Sequence, residues 1–190
     1  MKRKLAHLLD GLLPRQRLAH RVADARPRLY RIACSWCRDR HQAEDLVQDT
    51  LTRAVASLDE LRDPDRLDVW LTQILVNRYR DLQRRVTPET GWDGETVCQA
   101  DRPDQALLRQ DLVQRTRAAI ARLKEDQRQV LTLVDLGDFS YADAARALDV
   151  PVGTVMSRLA RARKRLREIL EADELAPASG SRVVPMRKLR

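Results

Sequence analysis

The sequence predicts an all-α chain of two small helical domains joined by a flexible linker, and three observations carry that prediction. Alanine, leucine and arginine dominate the 190 residues, whereas Gly occurs six times and aromatics make up 4%; these are strong helix formers with few breakers among them. Apolar residues recur at helical spacing over residues 15–85 and again over residues 104–173,. Between the two stretches "VTPETGWDGETVCQADRP", residues 86–103, loses all periodicity and gathers Pro, Gly and Thr, as an interdomain linker does. Residues 1–14 read as an N-terminal extension, and the small, Pro-containing, basic segment 174–190 is expected to be a disordered tail,.

Each helical element follows from its spacing. In "RLYRIACSWC" the residues Leu29, Ile32, Ala33, Trp36 and Cys37 form a core-facing stripe,. In "AEDLVQDTLTRAVASL" the stripe is Leu46, Val47, Thr50, Leu51, Ala54, Val55 and Leu58. "DELRDPDR" then breaks helicity at Pro64 and its flanking aspartates,. A further helix over Leu67 to Arg85 places Leu67, Trp70, Leu71, Ile74, Leu75, Arg78 and Leu82 on one side, with the Arg78 stem lying along the apolar face,. Trp70 begins this stripe and reads as core.

In the second domain "FSYADAARALDV" is a short helix followed by a turn. Ser140 reads as its N-cap, with Asp143 three residues on in place of the capping-box Glu,. Pro151 falls near the first position of the next helix. Two helices joined by so short a turn match a helix-turn-helix. On the second helix Val152, Val155, Leu159, Ala162, Leu166 and Ile169 step by three or four and form the expected buried stripe. The opposite face holds Gly153, Ser157, Ala160, Arg161 and Lys164, flanked by Thr154, Met156, Arg158, Arg163 and Arg165. Small residues beside one or two long donors let a helix enter a major groove while an arginine reaches a base edge. The flanking arginines would hold phosphates.

The formal net charge of +8 suits a polyanionic partner, but its distribution is more informative,. Asp39 to Asp68 carries a net −5, Arg78 to Arg85 a net +3, and Arg158 to Glu168 a net +5. One acidic surface and two basic ones point to partners of different kinds. Cys34, Cys37 and Cys98 are too few for a disulfide framework, which implies a reducing compartment,. His7 and Asp10 interrupt the leucines of "MKRKLAHLLDGLL", so no signal peptide is expected, and no apolar run has membrane-spanning length,. The expected location is the cytoplasm. The sequence has no Ser-His-Asp arrangement, phosphate-binding Gly loop or paired catalytic carboxylates; it does not read as an enzyme and requires no cofactor.

With the helix-turn-helix in place, "DQRQVLTLVDLGDFSYADAARALDVPVGTVMSRLARARKRL" resembles region 4 of the sigma-70 family of bacterial RNA polymerase initiation factors. "RPRLYRIACSWCRDRHQAEDLVQDTLTRAVASL" with "DVWLTQILVNRYRDLQRR" resembles region 2. The group it looks like is the small extracytoplasmic-function type, which has only these two regions. Asp149 departs from the Gly usual in such turns, and Met156 and Ala160 occupy positions that vary in the family, so promoter preference does not carry across.

The resemblance implies a dissociable subunit that directs core polymerase to promoters and helps melt them. It implies docking of Glu44, Asp45, Gln48, Asp49 and Thr52 on a coiled coil of the largest polymerase subunit. Gln73, Asn77, Arg80, Arg84 and Arg85 would bind the −10 element, with Arg62, Asp63 and Arg66 in the preceding loop. Asn77 would offer an amide to an unstacked base. The recognition helix would read double-stranded DNA at the −35 element, and region 4 would also meet the polymerase flap. An anti-sigma factor is the implied regulator. The alternatives are a sigma-like decoy, an ordinary DNA-binding regulator, and a thiol or metal sensor. The sensor would place Cys34, Cys37 and His41 on one helix, completed by Cys98 or His20.

Overall fold

The computed structural model describes residues 15–85 and 107–175, the side chains of 107–112 and 174–175 excepted. The expected N-terminal extension, linker and most of the basic tail, with Cys98, lie outside the described residues. Every regular element among the described residues is helical. They are α1 (15–24), α2 (Arg26–Trp36), α3 (Arg40–Ala56), α4 (Leu67–Arg85), α5 (Leu107–Ala121), α6 (Glu125–Leu131), α7 (Tyr141–Leu148) and α8 (Val152–Leu175). Short 3-10 turns at Leu58–Glu60 and Pro64–Arg66 lead into α4, and a π-helical turn, Thr132–Leu136, extends α6.

Local chemistry fixes the ends of these elements. Asp39 caps α3 by accepting from the Gln42 amide at 2.8 Å, and the Gln42 side chain accepts in return from the Arg38 amide at 3.0 Å. The pair resembles a capping box of Asp and Gln, except that the return bond reaches the amide preceding the cap. Ser140 caps α7 by accepting from the Asp143 amide at 3.1 Å, as expected. At Gly137 an added Cβ would lie 2.8 Å from the Leu133 carbonyl oxygen and 3.1 Å from the Phe139 ring. The close approach, rather than the backbone angle, requires glycine there.

The α2–α3–α4 group packs around Leu29, Ile32, Ala33, Trp36, Leu46, Val47, Ala54, Leu67, Leu71 and Leu75. The α5–α8 group packs around Leu123, Val130, Leu131, Leu133, Leu148, Val155, Leu159 and Ile169. Most of the expected stripes are present, with Leu51, Ile74, Leu82 and Leu166 half-buried at their margins and three further differences. Val55 is 45% exposed and Val152 43% exposed, because each lies at the edge of its stripe near a helix end. Trp70 is only partly buried, although it does pack on the core. The third difference is larger: α4 buries a second line, Thr72, Val76 and Tyr79, each 0% exposed. Two groups of helices claim this helix, since α3 packs on one side of it and α7 on another.

Candidate nucleic-acid interface

The turn between α7 and α8 is built as the sequence suggests. Asp149 adopts the left-handed conformation (φ 56°, ψ 53°) at the C-terminus of α7. Its amide and that of Val150 donate back to the Arg146 and Ala145 carbonyls at 3.3 and 3.0 Å, a Schellman closure,. Asp is among the few side chains that tolerate this backbone. The Pro151 carbonyl then accepts from the Thr154 and Val155 amides, which starts α8.

On α8 the side opposite Val155, Leu159 and Ala162 is open. Gly153, Ser157, Ala160, Arg161 and Lys164 are all exposed, and Met156 is 53% exposed. Nothing lies within 4 Å of where a Gly153 Cβ would be, so a groove wall could approach the backbone there. Arg161 lies along its own helix, donating from Nε to the Ser157 carbonyl at 3.1 Å. Thr154 is half-buried. The other arginines expected at phosphates are held by acids of this chain: Arg158 by Asp126 (3.2 Å), Arg163 by both Asp135 oxygens (3.1 and 2.6 Å), and Arg165 by Glu168 (3.1 Å). The Asp135 hydrogen bonds hold Arg163 still more firmly in its charged form. Surface pairs of this kind are worth about 0–1 kcal/mol, so a phosphate oxygen can replace a carboxylate at little cost.

On α4, Gln73, Asn77, Arg84 and Arg85 are exposed. Arg80 is not: it is half-buried, and its Nη2 donates to the Leu148 carbonyl at the end of α7 at 2.7 Å. In the loop before α4, Asp63 accepts from the Asp65 amide at 3.0 Å and pairs with Arg66 at 3.2 Å, while Arg62 is exposed. Asp63 therefore has a structural task in shaping the turn.

The acidic face of α3 presents Asp45, Gln48, Asp49 and Thr52 to solvent. Glu44 is half-buried and pairs with Arg40 at 3.0 Å. Asp49 accepts from Arg78, which also reaches Asp81 at 3.1 Å. Arg78 thus ties α3 to α4 by its head group, beyond the packing of its stem that the sequence suggested.

The metal-sensor arrangement does not form. It needs Cys34, Cys37 and His41 on one helix, but α2 ends at Trp36, Cys37 is extended (φ −83°, ψ 158°), and Asp39 starts a new helix. Cys37 is buried, and among the described residues no three His, Cys, Asp or Glu side chains are grouped to hold a metal ion.

Two packed helical groups, one with a polar and basic face on α4 and the other with a helix-turn-helix whose outer face is open, define a bipartite DNA-binding protein. Comparison with known proteins specifies which kind. The family Sigma-70 region 2 matches residues 22–88 and the family Sigma-70, region 4 matches residues 114–166. The ECF RNA polymerase sigma factor EcfG of Rhodopseudomonas palustris is 37% identical over 156 residues, covering 80% of this chain and 84% of that protein. The ECF RNA polymerase sigma-E factor of Escherichia coli K12 is 33% identical over 132 residues, covering 63% of this chain and 69% of that protein.

Among solved structures, the sigma factor RpoE of Bartonella quintana, in complex with the anti-sigma factor NepR, superposes with a TM-score of 0.66. It is 31% identical and covers 81% of this chain and 96% of its own. CnrH, in complex with the cytosolic domain of CnrY, superposes with a TM-score of 0.62 at 30% identity, covering 83% of this chain and 90% of its own. The chain belongs to the sigma-70 family and is an RNA polymerase sigma factor of the extracytoplasmic-function group. No described helix is long and apolar enough to cross a membrane.

Proposed function

We propose that the chain performs the two-point promoter recognition of its family with the surfaces described above, and without catalysis of its own. The α3 face around Asp45, Gln48 and Asp49 docks on a basic element of core polymerase. Asn77, Arg84 and Arg85 of α4, joined by Gln73 and Arg80, take the −10 element. Ser157, Arg161 and Lys164 face the −35 bases, with Thr154, Met156 and Ala160 shaping the fit. Arg158, Arg163 and Arg165 grip phosphates after exchanging their present carboxylates. Melting is driven by binding free energy for unpaired bases, which offsets an unstacking cost of about a few kcal/mol per step. The open, small-residue face of α8 beside Arg161 supports this reading most directly.

Regulation by an anti-sigma factor is part of the proposal. It rests on two solved structures at 30–31% identity, the sigma factor RpoE bound to the anti-sigma factor NepR and CnrH bound to the cytosolic domain of CnrY. Purified chain added to core polymerase should form a stable complex and start transcripts at promoters with −35 and −10 elements. Failure to associate with core polymerase refutes the docking surface. Association without initiation favours the decoy.

A further inference from the structure

The outer face of α8 changes character at Arg161. From Val152 to Ala160 the exposed residues are Val152, Gly153, Met156, Ser157 and Ala160, and none carries a charge. From Arg161 to Glu168 every exposed residue is charged. Val152 and Met156 are large apolar side chains, 43% and 53% exposed, and lie one turn apart on the same side of the helix. Ser157 carries the only polar side chain of the five. Its hydroxyl donates to the Thr154 carbonyl at 3.1 Å and accepts from Arg161 at 3.4 Å. The exposed start of α8 therefore has no side-chain donor left to offer a partner.

We propose that Val152 and Met156 form a reader of the thymine methyl group, so that the −35 element of this chain's promoters carries thymine opposite the start of α8. The proposal rests on the assignment of α8 to the −35 element, and it moves Val152 from the expected core stripe to the DNA interface. A recognition helix meets base edges with its N-terminal residues. Reading the acceptors of guanine, or the O4 of thymine, needs a donor; the major-groove feature that an apolar surface reads is the thymine C5-methyl. Val152 is stiff at χ1 and gives a fixed wall. Met156 is flexible and polarizable, and it adapts to the methyl beside that wall. The cations that begin at Arg161 draw the duplex in through its phosphates without placing a charge at the point of apolar contact. Arg161 itself keeps the guanidinium donors that a guanine edge requires, so the two halves of the face read different bases.

Holoenzyme assembled from the full chain and core polymerase can select promoter fragments from a pool randomised across the −35 element. The recovered fragments should share a thymine at one or two adjacent positions. Deoxyuridine in its place keeps every hydrogen-bonding group and removes only the methyl. That replacement should weaken holoenzyme binding about fourfold, the factor for one methyl-sized group returned to water. Both side chains are exposed, so alanine at either position leaves the core intact. In Val152→Ala and Met156→Ala the preference for thymine over deoxyuridine should shrink, and in the double variant it should vanish, whereas Met156→Leu should keep it. A preference that survives in the double variant overturns the proposal, as does a selected element in which no deoxyuridine lowers affinity. Arg161→Ala on the same fragments separates this idea from the assignment beneath it. If that variant loses a base preference while no methyl is read, α8 remains the −35 reader and the methyl reader alone is refuted. If no α8 variant alters any base preference, the assignment of α8 is refuted and the methyl reader with it.

Discussion

The two helices proposed to face DNA, α4 and α8, meet solvent on different terms. The outer face of α8 is bare, with exposed small residues around Arg161 and Lys164. The corresponding face of α4 is shared with α7, whose Leu148 carbonyl accepts from the half-buried Arg80. Both helices carry an amphipathic pattern and a basic end, so the difference comes from tertiary placement. A helix-turn-helix reads with its second helix and uses its first as a brace. In this chain the first helix, α7, also packs against α4.

The largest test of that difference is a cavity in either core. Leu159 is 2% exposed and Leu71 is 0% exposed, so Leu159→Ala and Leu71→Ala should each cost about 2–5 kcal/mol. Because α4 packs on α7, each variant should also lower the unfolding temperature of the other half, by less than its own. Independent melting of the halves, followed by calorimetry, would break the comparison at its root.

Next in size is the phenol buried where the halves meet. Burial pushes Tyr79 up to about 12 from an ordinary 10.0, against the opposing charge of Arg128. Its folded value exceeds its unfolded one, so its contribution is complete below pH 10 and is lost as pH rises through about 12. The loss is on the order of 3 kcal/mol. Tyr79→Phe should remove this alkaline sensitivity, which equilibrium unfolding between pH 9 and 12 would detect.

On α8, Arg161→Ala should relax one −35 base preference by roughly 1–3 kcal/mol, whereas Arg158→Ala should weaken all sequences alike and flatten the salt dependence. Binding to matched and scrambled −35 duplexes in a salt series separates the two. Equal losses on both duplexes for Arg161→Ala would remove it as a reader.

The sequence made α8 legible and α4 only half so. Along α8, a single apolar stripe facing a single core predicts which residues remain outside, and Ser157, Ala160, Arg161 and Lys164 are outside. Along α4, Thr72, Val76 and Tyr79 lie off the first stripe and carry a hydroxyl in two of three cases, so they resemble a polar flank, although all three are buried and Tyr79 is held between Trp36 of α2 and Arg128 of α6. Asp49 was equally ambiguous. Its charge suits docking, but its bond to Arg78 depends on a residue 29 positions away that no local pattern joins to it. The cysteine spacing does not put its members on one helix, because Asp39 and Gln42, which start a new helix, outweigh helical continuity through Cys37.

Smaller effects are confined to the turn of the helix-turn-helix. Asp149→Gly relieves a left-handed backbone (φ 56°) and should stabilise the α7–α8 unit by about 1 kcal/mol. Thermal unfolding of the variant checks this, and destabilisation would mean that the Asp side chain has a role beyond the turn.

The smallest effect belongs to the other end of α7. The Ser140 hydroxyl bond holds the Asp143 carboxyl below its ordinary 3.8 against a smaller opposing effect of burial, with Arg146 and Arg66 adding to the lowering. A lowered folded value means that the stabilisation is complete above about pH 4 and is lost as pH falls through the folded value. Asp143 lies near solvent, so the change should be slight, and Asp143→Asn should abolish its pH dependence while keeping a polar group at the cap. Equilibrium unfolding between about pH 3 and pH 6 checks this, and an unchanged pH dependence in Asp143→Asn would assign the acid sensitivity to another carboxylate.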